Sequence, residues 1–146
     1  MFKKILYPLD IEDVNDSEMH GIVRMQAQAN NAELYLMTVI PDHGFHNLIT
    51  NLSSKGESEF IEMYKKRMFD LIQTEFSNHD NLNISKHIII KSGNIYKNIV
   101  ETVKDLKIDL VTIPAHKPGL EEYLLGPNTA KVVRHSPCSV FVIRRY

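Results

Sequence analysis

The chain is expected to fold as a three-layer α/β domain, a doubly wound sheet of five parallel strands in the order 3-2-1-4-5 with helices on both faces. Three features predict this. Short apolar runs of strand length alternate strictly with amphipathic stretches of helical length. The runs are apolar at nearly every position, as strands covered on both faces must be. The stretches between them are long enough for crossovers, and right-handed crossovers produce a parallel sheet.

Lys4 to Leu9 reads as the first strand, ended by Pro8 and the acidic run of Asp10, Glu12 and Asp13. Ser17 is placed to cap a first helix whose apolar residues Ile22, Val23, Met25, Ala27 and Ala29 follow helical spacing loosely, and Asn30-Asn31 ends it. Leu34 to Ile40 is the second strand. Pro41 to Gly56 is polar and without period, which predicts a long exposed crossover loop. Its His43 and His46 have no firm third ligand nearby and read as solvated.

From Glu57 to Phe76, the residues Phe60, Tyr64, Met68, Leu71, Ile72 and Phe76 form the stripe of a long amphipathic helix, with Lys65, Lys66 and Arg67 on a solvated face. Ile84 to Lys91 supplies the third strand and Gly93 turns the chain. Asn94 caps a helix striped by Ile95, Ile99, Val100, Val103 and Leu106. Leu110 to Ile113 is the fourth strand. A short last helix begins near Asn128, and Ser139 to Ile143 is the fifth strand.

A length of 146 residues suits one domain spanning 1–146, large enough to bury a core without disulfide or metal staples. Hydrophobic content of 43% and charged content of 24% exclude a disordered or low-complexity chain. A net charge of -1 with scattered Lys and Arg disfavours nucleic acid or acidic lipid as partner and favours a small ligand. The single Cys138 lies in an apolar strand pattern and reads as a reduced packing residue. Pro8 and Asp10 interrupt the first apolar run too early for a signal peptide, and no later run is long enough to span a bilayer. A cytoplasmic protein is expected.

In a doubly wound sheet the ligand lies beyond the carboxyl ends of the strands, where successive connections reverse direction. If the fourth strand returns beside the first, that reversal brings Asp10 near Pro114. Gly126 permits close backbone approach, and the amides after it open a helix, where unpaired donors and partial positive charge suit a phosphate.

The strand end YPLD, the segments LMTVIP and IPAHKP and the run YLLGPNTAKVVRHSPCSVFVIR together resemble the universal stress protein family, in particular its small single-domain bacterial F/G-type subgroup. The resemblance covers nearly the whole chain. It implies an adenine-nucleotide-binding fold, usually homodimeric, with ATP or another adenine nucleotide as ligand, with or without magnesium. It also implies the site residues. Asp10 approaches the nucleoside, Val39 lies against adenine, and Pro8 also belongs to the site. Pro114, Ala115, His116 and Lys117 form the loop after the fourth strand, and Gly126, Pro127, Asn128 and Thr129 form the phosphate turn. Three positions depart from the family pattern. Pro114 replaces a small residue, Ala115 lacks the usual hydroxyl, and Pro127 replaces the serine after Gly126, which deletes one amide donor and one hydroxyl.

No P-loop of the form GxxxxGKS/T, no GxSxG elbow and no HExxH helix occurs, and Lys91, Ser92 and Gly93 stand where a receiver domain needs an acceptor aspartate. Little or no catalysis is expected. The fifth strand, Ser139, Val140, Phe141, Val142 and Ile143, would form an apolar sheet edge that invites pairing with a second copy. Two readings follow. One is a dimeric nucleotide-responsive stress protein. The other is a dimeric interaction module with no nucleotide, its protein partner unidentified, in which Pro114, Ala115 and Pro127 have disabled the cradle.

Overall fold

The strands come from the predicted apolar runs, and a computed structural model shows how they pair. It describes residues 1–11, 16–40, 54–77, 85–115 and 126–144. In chain order the elements are β1 (Lys4–Pro8), α1 (Ser17–Asn30), β2 (Glu33–Ile40), α2 (Ser54–Leu71), a π-helical turn (Ile72–Ser77), β3 (Lys86–Ser92), α3 (Ile95–Leu106), β4 (Leu110–Pro114), α4 (Gly126–His135) and β5 (Ser139–Ile143). The five strands form one parallel sheet in the order β3-β2-β1-β4-β5. The chain thus moves outward from β1 through β2 to β3, then returns to the opposite side of β1 with β4.

Alternation along the strands sends side chains to two cores. Ile5, Tyr7, Leu34, Leu36 and Leu110 pack with Met19 and Val23 of α1 and Tyr64 and Met68 of α2. Leu6, Tyr35, Met37, Val111 and Ile113 pack on the other face with Ile99 and Val103 of α3 and Val132 of α4. Helices on both faces explain why β1, β2 and β4 are apolar almost throughout.

The helix boundaries follow local chemistry, with corrections to the expected ones. Asp16, not Ser17, caps α1: its carboxylate accepts from the Met19 amide at 3.2 Å. Asn31 closes that helix at φ 49°, the left-handed region that asparagine tolerates. Asn94 caps α3 as expected, accepting from the Lys97 amide at 3.1 Å. The expected loop, Pro41 to Gly56, overlaps α2, which already begins at Ser54; residues 41–53, with His43 and His46, lie outside the described residues. α4 begins at Gly126 rather than near Asn128, since proline at the start of a helix has no intrahelical amide bond to lose. Cys138 precedes β5 instead of lying within it, half-buried against the core with its sulfur 3.3 Å from the Ser136 hydroxyl.

The π-helical turn was not legible from spacing. It seats Glu75 against one face of α1, where Arg24 Nη1 donates to the Glu75 carbonyl at 2.6 Å, the Ser17 hydroxyl donates to its carboxylate at 3.2 Å, and His20 Nδ1 lies 3.8 Å from it. Phe76 is fully buried beside Tyr7 and His20.

Candidate functional site

The backbone of β1 shows why a crevice forms at its carboxyl end. The Leu9 amide donates to the Met37 carbonyl at 2.8 Å and the Glu33 amide to the Lys3 carbonyl at 2.9 Å, so odd-numbered residues of β1 bond toward β2. Even-numbered residues face β4, as the bonds of Lys4 with Asp109 show. The amide that Pro8 lacks is therefore one that would have faced β4. Pairing with β2 accordingly runs to Pro8↔Met37, whereas pairing with β4 ends at Leu6↔Val111. The two strand ends are left unlaced where the chain reverses direction, which is the position that binds ligands in sheets of this kind.

Asp10 follows β1 by two residues and is half-buried at this end of the sheet. Pro114 is buried as the last residue of β4. The Ala115 amide is committed to the Ile143 carbonyl at 2.7 Å, which holds the exit of β4 against β5. Val39, 7% exposed, belongs to the core that contains Met37 and Ile113. His116 and Lys117 lie outside the described residues.

A hydrogen bond from Thr129 joins the first turn of α4 to the strand end. Thr129 and Val132 are both buried, one turn apart on the sheet-facing side of the helix. The Thr129 hydroxyl donates to the Pro114 carbonyl at 3.0 Å. Pro127 is exposed and Asn128 half-buried. The structure thus brings Pro8, Asp10, Pro114, Ala115 and the opening of α4 to the same end of the sheet, around the β1/β4 reversal.

Two grooves lined by described residues lie elsewhere. One, of about 390 Å³, runs between α2 and β3 over Ile61, Lys65, Phe69, Ile88 and Ile90. The other, of about 360 Å³, runs along α3 past Tyr96, Lys97, Val100, Glu101, Lys104 and His135. Neither contains a residue predicted for the nucleotide site. His135, in the last turn of α4, stacks on Tyr96 with ring centres 5.5 Å apart.

A second polar cluster was missed by sequence reasoning. Glu33 on β2 accepts from the Tyr35 hydroxyl at 3.0 Å and lies 3.2 Å from His87 Nε2 on β3, while the Tyr35 and His87 rings stack at 4.5 Å. Burial, then the hydrogen bond to Glu33 and its negative charge, push the Tyr35 phenol above its ordinary pKa. Among the described residues, no group of three or more His, Cys, Asp or Glu side chains is placed to hold a metal ion, and no helix is long and apolar enough to cross a membrane.

A five-stranded parallel sheet in this order, helix-covered on both faces and reversing beside β1, defines a Rossmann-like α/β protein. The chain belongs to the universal stress protein family, whose model matches residues 1–144. Two relatives span almost its whole length. A universal stress protein of Methanothermobacter thermautotrophicus is 21% identical over 99% of this chain and 97% of its own. Universal stress protein A homolog 2 of Coxiella burnetii is 25% identical over 98% and 95%.

Among solved structures, the protein MJ0577, a test case of structural genomics, is similar with a TM-score of 0.73 at 26% identity, covering 100% of this chain and 98% of that one. A universal stress protein in complex with cAMP has a TM-score of 0.62 at 18% identity, covering 98% and 97%. A family member from Arabidopsis thaliana with AMP bound has a TM-score of 0.55 at 16% identity, covering 99% and 92%.

Proposed function

We propose that this chain is an adenine-nucleotide-binding stress-response protein that acts as a homodimer, in the cytoplasm, with little or no catalysis. The observation that carries the reading is the β1/β4 reversal itself. Pro8 ends the pairing there, Asp10 stands on one side, and α4 opens on the other with its first turn tied to Pro114 through Thr129. Structural neighbours that share this fold were solved with cAMP and with AMP. ATP or another adenine nucleotide, with or without magnesium, is the proposed ligand. Asp10 meets the nucleoside and Val39 adenine, Pro8, Pro114, Ala115, His116 and Lys117 line the site, and the turn from Gly126 to Thr129 meets the phosphate. Turnover above about 1 per second, an ordinary enzyme rate, would contradict the non-catalytic part of the reading.

Dimerisation is proposed through β5. This edge strand carries no charged residue, and Phe141 and Val142 are 49% and 38% exposed. The opposite edge, β3, carries Lys86 and Lys91, the charges that guard a sheet edge against pairing.

A thermal-shift series with ATP, ADP and AMP tests nucleotide binding. A ligand at about a hundred times its dissociation constant stabilises the folded state by about 2.7 kcal/mol, or about 5–10 °C for a chain of this size. The second reading, a dimeric interaction module without nucleotide, is favoured by the missing amide of Pro127 and the committed amide of Ala115. It predicts no shift with any of the three.

A further inference from the structure

β3 closes one edge of the sheet, and among the described residues its strand partner is β2 alone. Beside it runs the groove of about 390 Å³, which shares no residue with the proposed nucleotide site. The helical wall of this groove is Ile61, Lys65 and Phe69, spaced four apart and so on one stripe of α2. The strand wall is Ile88 and Ile90, alternate residues on one face of β3. A neighbouring stripe of α2, formed by Tyr64, Met68 and Leu71, is buried in the core. The groove is open by contrast, with Phe69 55% and Ile88 37% exposed. An apolar groove beside a sheet edge offers what an added strand uses: main-chain groups along the edge and a recess for alternate side chains.

Charge decides which strand fits. From Lys86 to Ser92 the edge carries Lys86, His87 and Lys91 and no acidic residue. By alternation Lys86 shares the face of Ile88 and Ile90, and Lys91 lies on the other face near the far end of the strand. His87 is stacked on Tyr35 and lies 3.2 Å from the Glu33 carboxylate on β2. Over residues 61–71, α2 has Lys65, Lys66 and Arg67 against Glu62 and Asp70, with Glu62 3.2 Å from Lys65. Pairing with the β3 of a second copy would bring lysines against lysines. The same lysines attract a strand that carries carboxylates.

We propose that the β3 edge and this groove form a docking site for an extended acidic–apolar segment of a partner protein. The segment adds to the sheet as a sixth strand, seats apolar side chains against Phe69, Ile88 and Ile90, and sets carboxylates beside Lys86 and Lys91. The site does not depend on the nucleotide reading, because the two share no residue.

Amide chemical-shift titration of the labelled full chain with a capped peptide of about ten residues alternating valine and glutamate tests this, with a peptide alternating valine and lysine as its counterpart. The glutamate peptide is expected to shift the amides of residues 61–69 and 86–92, to bind about ten-fold more tightly than the lysine peptide, and to weaken as salt rises. Lys86→Glu combined with Lys91→Glu is expected to reverse the preference, and Phe69→Ala, at an exposed position, to weaken binding about ten-fold. Equal binding of the two peptides, an unchanged preference in the charge-reversed variant, undiminished binding by Phe69→Ala or no shift at millimolar peptide would overturn the proposal. Shifts at residues 86–92 on concentrating the chain alone would assign the edge to a second copy, and shifts there with phosphatidylserine vesicles but not with peptide would assign it to lipid; either result also overturns it.

Discussion

The Thr129 hydroxyl and the Pro114 carbonyl, fifteen residues apart in sequence, meet at 3.0 Å in a buried hydrogen bond that joins the first turn of α4 to the end of β4. The bond fixes where the helix begins relative to the sheet, and so sets the shape of the crevice mouth. Thr129→Val keeps the volume and removes the donor, leaving a buried carbonyl to find another partner. The expected cost is about 1–3 kcal/mol, a fall in melting temperature of about 2–12 °C that calorimetry would resolve. An unchanged melting temperature would mean that the bond contributes nothing.

The seat of the π-helical turn on α1 makes a second prediction. Glu75 is held through its carbonyl and its carboxylate by Arg24, and through its carboxylate by Ser17. Arg24→Ala removes both of its bonds and the guanidinium 6.0 Å from the Phe76 ring centre. A loss of about 1–2 kcal/mol is expected, with amide exchange quickening first across residues 72–77. Uniform quickening over the whole chain would show that the turn has no independent anchor on α1.

Alkaline pH should expose the Tyr35–Glu33 contact. Tyr35 has its folded pKa raised, chiefly by burial and then by Glu33, so its contribution to stability is complete below the ordinary tyrosine pKa of about 10 and is lost as pH rises through the higher folded value. Tyr35→Phe should cost about 1 kcal/mol at neutral pH by removing the hydrogen bond, and should lose less stability than the parent on going above about pH 10. Parallel pH profiles for the two proteins would contradict this.

The proposed dimer is tested at its edge. Val142→Lys places a charge on β5, where pairing would bury it, and is expected to give a monomer by sedimentation at micromolar concentration. Ile88→Lys, on the opposite edge strand β3, should leave the oligomeric state unchanged. A parent protein that sediments as a monomer would remove the dimer from the account.

The fold was legible because apolar runs and helical stripes are direct consequences of burial: the β5 boundaries and the Asn94 cap follow from residue chemistry alone. Other features depend on the third dimension. The Leu71, Ile72 and Phe76 stripe continues through the π-helical turn without a break, so nothing in the spacing marks the change of helix type. Asp16 and Ser17 are both good caps, and only the folded backbone decides between them. At the candidate site, the sequence showed that Pro127 lacks an amide. It could not show that Thr129 turns its hydroxyl to Pro114 or that Ala115 gives its amide to Ile143, because both depend on how β4, β5 and α4 pack.

The most direct test of the central claim, that an adenine nucleotide occupies the β1/β4 crevice, is an amide chemical-shift titration of the isotopically labelled protein with AMP. The account predicts shifts concentrated at Leu9, Asp10, Val39, Ala115, Gly126, Asn128 and Thr129, around the chain reversal. Shifts confined to the groove between α2 and β3, or no shifts at millimolar AMP, would contradict it.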